Sequence, residues 1–502
     1  MEPLVRIKEP TLLFAHGQTM EDPRDGLTLF GPLDEGKPYG IKAGVIGRKD
    51  GIRRFKDWVQ RIQGPISNEK PRPSRPPFPG FEAAFRIPWN PQPGLEIEIG
   101  YDELDCMYID DKYKRVYNTV DVYSSRIIEA IKEEETKVDI WFVIVPDEVY
   151  KYCRPKSVVE AKLRVKAEGK MQPKMAQKAQ VQPFFFEELN EDAIPYQYEV
   201  NFHNQLKARL LADAVLTQII KESTIAHNEF RNKFDQPIRK LDDLQSEIAW
   251  NISTAVFYKA GGRPWKIGSI REGVCYIGIV FKQDERNLNS QEACCAAQMF
   301  LDSGDGVVFK GAIGPWLTSG RGEYHLSRTA AKELVSVALK SYLKKWDKLP
   351  KELFLHGKVR FDDEEWLGFQ EAVDSTTNLV GVRIRDESDL KLYRKENHPA
   401  LRGLAYIRDN RTAYLWTKGF TPRLQTYPGR EVPNPLLIDV CRGSADIEVV
   451  LTDIMALTKL NYNTCIFADG EPVTLKFADA VGEILTAGPI GKVPPLPFKH
   501  YI

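Results

Sequence analysis

His203 and Lys207 stand four residues apart in the segment FHNQLKARLL, Gln218 follows in VLTQ, and Lys259 lies in YKAGGRPW. Four-residue spacing puts His203 and Lys207 on one face of a helix. A ring can stack on a base, two ammonium groups can neutralise phosphate, and an amide can orient a phosphate or a metal. Together these groups have the chemistry of a grip on a phosphorylated nucleotide end. Each has a plainer reading alone: a solvated His–Lys pair, a surface amide, and a helix-terminal cation favoured by the helix dipole.

The composition leaves such a grip possible and excludes several other classes. The 502 residues contain 70 Lys and Arg against 70 Asp and Glu, so a nucleic-acid partner would need a local basic patch. The span Lys151 to Gln182 has nine basic residues against Glu160 and Glu168, a local net of +7, and reads as a basic, Gln-rich inserted loop. Seven scattered cysteines, only Cys294 and Cys295 adjacent, predict reduced thiols and no structural zinc. The N-terminus MEPLVRIKEPTLLFAHG lacks the apolar core of a signal peptide, and no apolar run is long enough to span a bilayer. A cytoplasmic location is expected. No GxxxxGK[ST] loop and no strand-linked GxGxxG occurs, which argues against a P-loop NTPase or a dinucleotide-dependent oxidoreductase.

The elements that must position these residues follow from periodicity. TLLFAHG, GLTLFGPLD and YGIKAGVIG read as short strands, and GIRRFKDWVQRIQ as a helix with Ile52, Phe55, Trp58, Val59 and Ile62 on one face. A proline-dense connector runs from Pro65 to Pro79. FEAAFRI reads as a strand, Tyr123–Glu134 as a helix, and the continuous apolar run VDIWFVIVP as a parallel strand covered on both faces. Helices are expected near Gln205–Ala214 and Ser246–Lys259, the latter stopped by the glycine pair at 261–262. After Pro264 the order is VCYIGIVFKQ, CCAAQMFLDS, GVVFKGAIGPW, a helix TAAKELVSVALKSYLKKW and the strand ELFLHGK. Three hairpin-linked strands followed by a helix and a parallel strand suit a ribonuclease-H-like sheet. The strands NLVGVRI, LRGLAYIRD and AYLWTKG and the amphipathic ADIEVVLTDIMALTKL complete it. The fold class expected is α/β. A strand-and-helix segment with its connector (1–80) precedes a Rossmann-like domain (81–262) and a ribonuclease-H-like domain (263–502).

These motifs, in this order, resemble the Argonaute family, in the short prokaryotic form with MID and PIWI domains. GLTLFGPLD, HNQLK, YKAGGRPW, VCYIGIVF and FADGEPVTLKFADAVGEI carry the likeness. EPTLLFAHGQ, FVIVPDEVYKYCRP, ACCAAQMFLDSGDG and PFKHYI are similar to the Argonaute subunit of SPARTA systems, which pairs with a TIR–APAZ protein. The resemblance implies that His203, where the family usually has Tyr, stacks on the first guide base, with scope for a pH-dependent contact. Lys207, Gln218 and Lys259 would contact the 5′ phosphate. Gln218 and the terminal Ile502 would hold a Mg²⁺ that bridges guide phosphates.

Slicing Argonautes need clustered carboxylates for two cations. At the matching positions this chain has Val280, Glu323, His356 and Asp479. Val280 cannot bind metal, Asp284 lies past the strand's centre, and Asp362 and Asp363 read as helix-capping acids. The expectation is a catalytically inactive PIWI domain; the competing reading is a guided nuclease using Glu323, Asp479 and an atypical ligand such as His356. What the resemblance further implies is a short guide RNA, a single-stranded DNA target, a heterodimer with a TIR–APAZ protein, and a higher oligomer on target binding. The partner's TIR domain would then hydrolyse NAD in prokaryotic defence against plasmids or phage.

Overall fold

The computed structural model describes residues 4–502, except 69, 71, 239–244, 269–270, 284–291, 302–305, 316–322, 428 and 490–495. Asp284 therefore lies outside the described residues.

A four-stranded sheet, all parallel, runs in the order Leu95–Glu98, Ala43–Gly47, Ile140–Val145, Thr217–Lys221. All six residues of Ile140–Val145 are buried. Phe142 and Ile144 join one core with Phe55 and Val59 of helix Lys49–Arg61; Trp141, Val143 and Val145 join another with Val116, Val120 and Tyr123 of helix Lys112–Glu133. Two-sided covering explains why this strand is apolar throughout rather than alternating. Ala43–Gly47, from the first 80 residues, supplies an interior strand of the sheet.

The second sheet has nine strands. From one edge its order is Leu4–Arg6, Leu404–Ile407, Thr412–Leu415, Leu436–Arg442, Asn378–Asp386, Glu352–Gly357, Val274–Gln283, Glu292–Leu301, Gly306–Pro315. The last three form antiparallel hairpins; Glu352–Gly357 is parallel to both neighbours and is reached through helix Arg328–Trp346. This is the ribonuclease-H-like order expected. Along Val274–Gln283, Cys275, Ile277 and Ile279 pack toward helix Arg328–Trp346, while Tyr276 and Val280 pack into the core shared with helix Val473–Leu485.

Several local readings of the sequence are corrected. GLTLFGPLD is not a strand: helix Pro23–Phe30 covers its first half, capped by the Asp22 carboxylate accepting from Arg24 N and ended by Gly31 at φ +83°. FEAAFRI is helix Phe81–Phe85, where the four-residue spacing of two phenylalanines stacks their rings 5.1 Å apart. The helix placed at Tyr123 begins at Lys112, capped by Asp111. The basic stretch is not all loop, since Pro173–Val181 is helical. Asp362 does cap a helix, accepting from Glu365 N. No helix among the described residues is long and apolar enough to cross a membrane.

Helix Val473–Leu485 lies directly on the nine-stranded sheet at Gly278, where a Cβ would stand 1.9 Å from the Thr474 main-chain oxygen. Gly278→Ala is expected to push the helix outward and lower stability by about 1–3 kcal/mol, the usual range for overpacking. A urea or thermal melt of the purified variant checks this.

Candidate functional site

The helix Phe202–Leu210 buries Phe202, Leu206 and Leu210 against the four-stranded sheet and is capped by Asn201, whose side chain accepts from His203 N and Asn204 N. That anchoring aims the next ridge, His203 and Lys207, toward strand Thr217–Lys221. Lys259 arrives from the last turn of helix Gln245–Lys259, just before Gly261 at φ +106°. The turn Phe498–His500, held by Phe498 stacked at 4.1 Å on Phe477, delivers Ile502 to the same place.

Lys207 Nζ donates to the main-chain oxygen of Ile502 at 2.5 Å and lies 3.5 Å from Thr217 Oγ1. Lys259 Nζ donates to the Thr217 main-chain oxygen at 3.0 Å and to Gln218 Oε1 at 2.7 Å. One threonine is thus shared by two ammonium groups, which are only 3% and 1% exposed. Neither makes an ion pair with an acidic side chain among the described residues. Burial pushes Lys207 down to about 7; burial and then the Lys207 charge hold Lys259 well below the usual lysine range. Burial without an acidic side-chain partner among the described residues thus disfavours the charged form of both lysines, and an anion beside them would favour it.

His203 and Gln218 line a cavity of about 460 Å³ in front of these lysines, together with Asn204, Tyr150, Arg154, Lys221 and an apolar floor of Val145, Val149, Ile219 and Ile252. The cavity opens at the carboxyl ends of the parallel strands, where ligands of such sheets bind. Lys207 and Lys259 stand behind this lining, with Gln218 as the link. The His203 ring is exposed, with Nδ1 3.1 Å from Asn204 Oδ1. Desolvation, then the Lys207 charge, lowers it to about 4, so its protonation falls well below neutral pH rather than near it.

Sequence reasoning brought His203, Lys207, Gln218, Lys259 and Ile502 together but missed four residues. Thr217 supplies the acceptor oxygens that both lysines share. Tyr150, exposed at the cavity mouth, carries the Arg154 guanidinium 3.7 Å and Lys221 Nζ 4.2 Å from its ring centroid. His500, buried beside Lys207, is lowered to about 4 by desolvation and then by Lys499 and Lys207. Tyr150 and Arg154 had a legible signal, since they follow a doubly covered parallel strand. Thr217 and His500 had none.

For the expected Mg²⁺, the donors are the Gln218 amide oxygen and the Ile502 main-chain oxygen, each now accepting from a lysine. Oxygen donors suit this hard cation, and two of them leave positions for phosphate oxygens and water. The set fits an ion shared with a bound phosphate. It is not a cage on protein ligands alone, and no cluster of three His, Cys, Asp or Glu occurs among the described residues.

At the four downstream positions, Val280 and His356 are buried, and His356 Nδ1 lies 2.9 Å from Thr474 Oγ1. Burial pushes His356 down to about 3, leaving it neutral. Asp479 pairs with Lys282 at 2.9 Å, two residues beyond Val280 on its strand, and with Lys358 at 3.4 Å, just past the end of the strand that holds His356. Helix Val473–Leu485 thus gathers His356, Val280 and Asp479 at one corner. Glu323, half-buried, shares no hydrogen bond or ion pair with them among the described residues, and its charge acts on His325.

Inorganic phosphate is expected to raise the thermal midpoint of the unliganded protein, by about 2.7 kcal/mol of stabilisation at a hundredfold excess over its dissociation constant. Chloride at equal ionic strength should not do so. Lys207→Met with Lys259→Met should abolish the phosphate response in a calorimetric scan.

No family model and no curated protein matches the chain. Solved structures do. Clostridium butyricum Argonaute bound to a guide DNA and a 19-mer target DNA aligns at TM-score 0.60 and 15% identity, over 97% of this chain and 53% of that one. A. aeolicus Argonaute aligns at TM-score 0.53 and 14% identity, over 98% and 54%; the same protein with externally bound siRNA aligns at 0.54 and 14%, over 99% and 56%. The chain spans about half the length of these structures, and over nearly all of its own length it has the Argonaute fold, in its MID–PIWI part.

Proposed function

We propose that this chain is a guide-loaded nucleic-acid sensor: it grips the 5′-phosphorylated end of a short guide RNA and recognises single-stranded target DNA by pairing. The observation that carries this is the buried Lys207–Lys259 pair, without acidic side-chain partners among the described residues, behind a cavity lined by His203 and Gln218. A terminal phosphate supplies the missing negative charge. His203 offers a neutral ring to the adjoining base, and Tyr150 with Arg154 walls the cavity mouth. Bound with the phosphate, Mg²⁺ on Gln218 and Ile502 would neutralise further charge between guide phosphates. Each charge-assisted contact contributes about 1.5–3 kcal/mol.

The downstream corner supports a non-cleaving reading. Val280 and neutral His356 occupy two positions that would need anionic oxygens, and Asp479 is already neutralised by Lys282 and Lys358. The competing reading, a guided nuclease with an atypical metal site, keeps Asp479 and Glu323 as its ligands. The effector is proposed to lie elsewhere. The segments similar to SPARTA Argonautes point to a TIR–APAZ partner whose NAD hydrolysis follows target binding and assembly into higher oligomers. That step rests on the sequence resemblance alone.

Lys207→Ala should weaken retention of a 5′-phosphorylated guide by roughly tenfold to a hundredfold, with a much smaller effect on a 5′-hydroxyl guide, read by filter binding. Equal loss for both guides would sink the pocket assignment. Loaded protein with labelled complementary DNA and Mn²⁺ is expected to leave the DNA intact; cleavage that disappears in Asp479→Ala would establish the nuclease instead. Co-purification with a TIR–APAZ protein, and target-dependent NAD loss, test the partner.

A further inference from the structure

The basic stretch ending at Gln182 and the residues after it build a small projection that the guide pocket does not use. Helices Pro173–Val181 and Glu187–Ala193 pack through Ala176 and Ala193, with Tyr196 of the turn that follows, into a small core that meets a larger one at Tyr113. Between the helices, Phe185 is 96% and Phe186 60% exposed, their rings edge-on at 5.4 Å. A pair of phenylalanines held in water by an ordered turn is an apolar surface without its partner.

The charges around it say what the partner is. Lys174 and Lys178, four residues apart, are exposed on the first helix; Glu187, Glu188 and Glu191 are exposed on the second. None of the five forms an ion pair among the described residues, whereas neighbouring charges are paired, as in Lys170 with Asp110 and Lys114 with Asp192. Opposite charges flanking an apolar centre are self-complementary: a twofold rotation lays the basic helix of one copy on the acidic helix of the other. A nucleic-acid backbone fits poorly, because acids outnumber lysines here.

We propose that this projection is a docking surface for a second copy of the chain, with Phe185 and Phe186 on the twofold axis and the two helices paired by charge. Small, flat contacts of this kind are weak and reversible. The contact does not depend on the guide-binding reading, since none of its residues lines the pocket.

Sedimentation velocity on the full chain tests it. The expected result is a concentration-dependent monomer–dimer equilibrium, with the dissociation constant raised at least about tenfold by Phe185→Asp with Phe186→Asp, or 1.4 kcal/mol. All substituted side chains are exposed, and unchanged circular dichroism and guide retention confirm an intact fold. Lys174→Glu with Lys178→Glu, and separately Glu187→Lys with Glu191→Lys, should each be monomeric, and mixing the two proteins should restore the dimer. A protein monomeric at every concentration, a dimer indifferent to the Phe substitutions, or charge-reversed variants that stay apart when mixed overturns the proposal.

Discussion

The arrangement depends on a cost left in place: two lysine side chains are buried around one threonine, and neither pairs with an acidic side chain among the described residues. Desolvation lowers both lysines, with the Lys207 charge adding to it at Lys259, and oxygens converge on the pair. Thr217 is shared between the two, Gln218 reaches Lys259, and Ile502 reaches Lys207. An anion bound there, as proposed, would offset the cost of burying the pair.

Four distant segments must meet for this to happen. A helix after the central strands brings His203 and Lys207, an edge strand brings Thr217 and Gln218, a helix C-terminus brings Lys259, and the last turn brings Ile502. Parallel strands covered on both faces place their carboxyl ends at one rim, so the cavity follows from the sheet's topology. The last turn reaches this rim from the other sheet through Phe498 on Phe477. The grip therefore exists only when both sheets are assembled.

The corner of the nine-stranded sheet obeys different physics. Helix Val473–Leu485 presses so closely on Gly278 that no side chain fits, and His356 is spent on a hydrogen bond to that helix. Asp479 faces two lysines. Where a cation site would gather uncompensated negative charge, this corner satisfies each charge internally. The lysine pair differs, because neither Lys207 nor Lys259 has an acidic side-chain partner among the described residues.

Much of this was legible in the residues. Continuous apolar runs such as Ile140–Val145 and VCYIGIVF identify strands buried on both faces, because charged side chains are excluded there. In the second sheet, hairpin spacing and one long helix made three antiparallel strands and the following parallel strand legible, but not the place of Leu4–Arg6 at its edge. Short segments misled: FEAAFRI and GLTLFGPLD have strand-like composition, and only caps and packing make them helices. The residue types of the grip were set by sequence alone: His203, Lys207, Gln218 and Lys259. Tertiary structure alone decided that both lysines are buried, that Thr217 and Ile502 solvate them, that Tyr150 and Arg154 wall the cavity, and that Asp479 is neutralised. Burial and counter-charge come from neighbours distant along the chain, and local sequence carries no information about them.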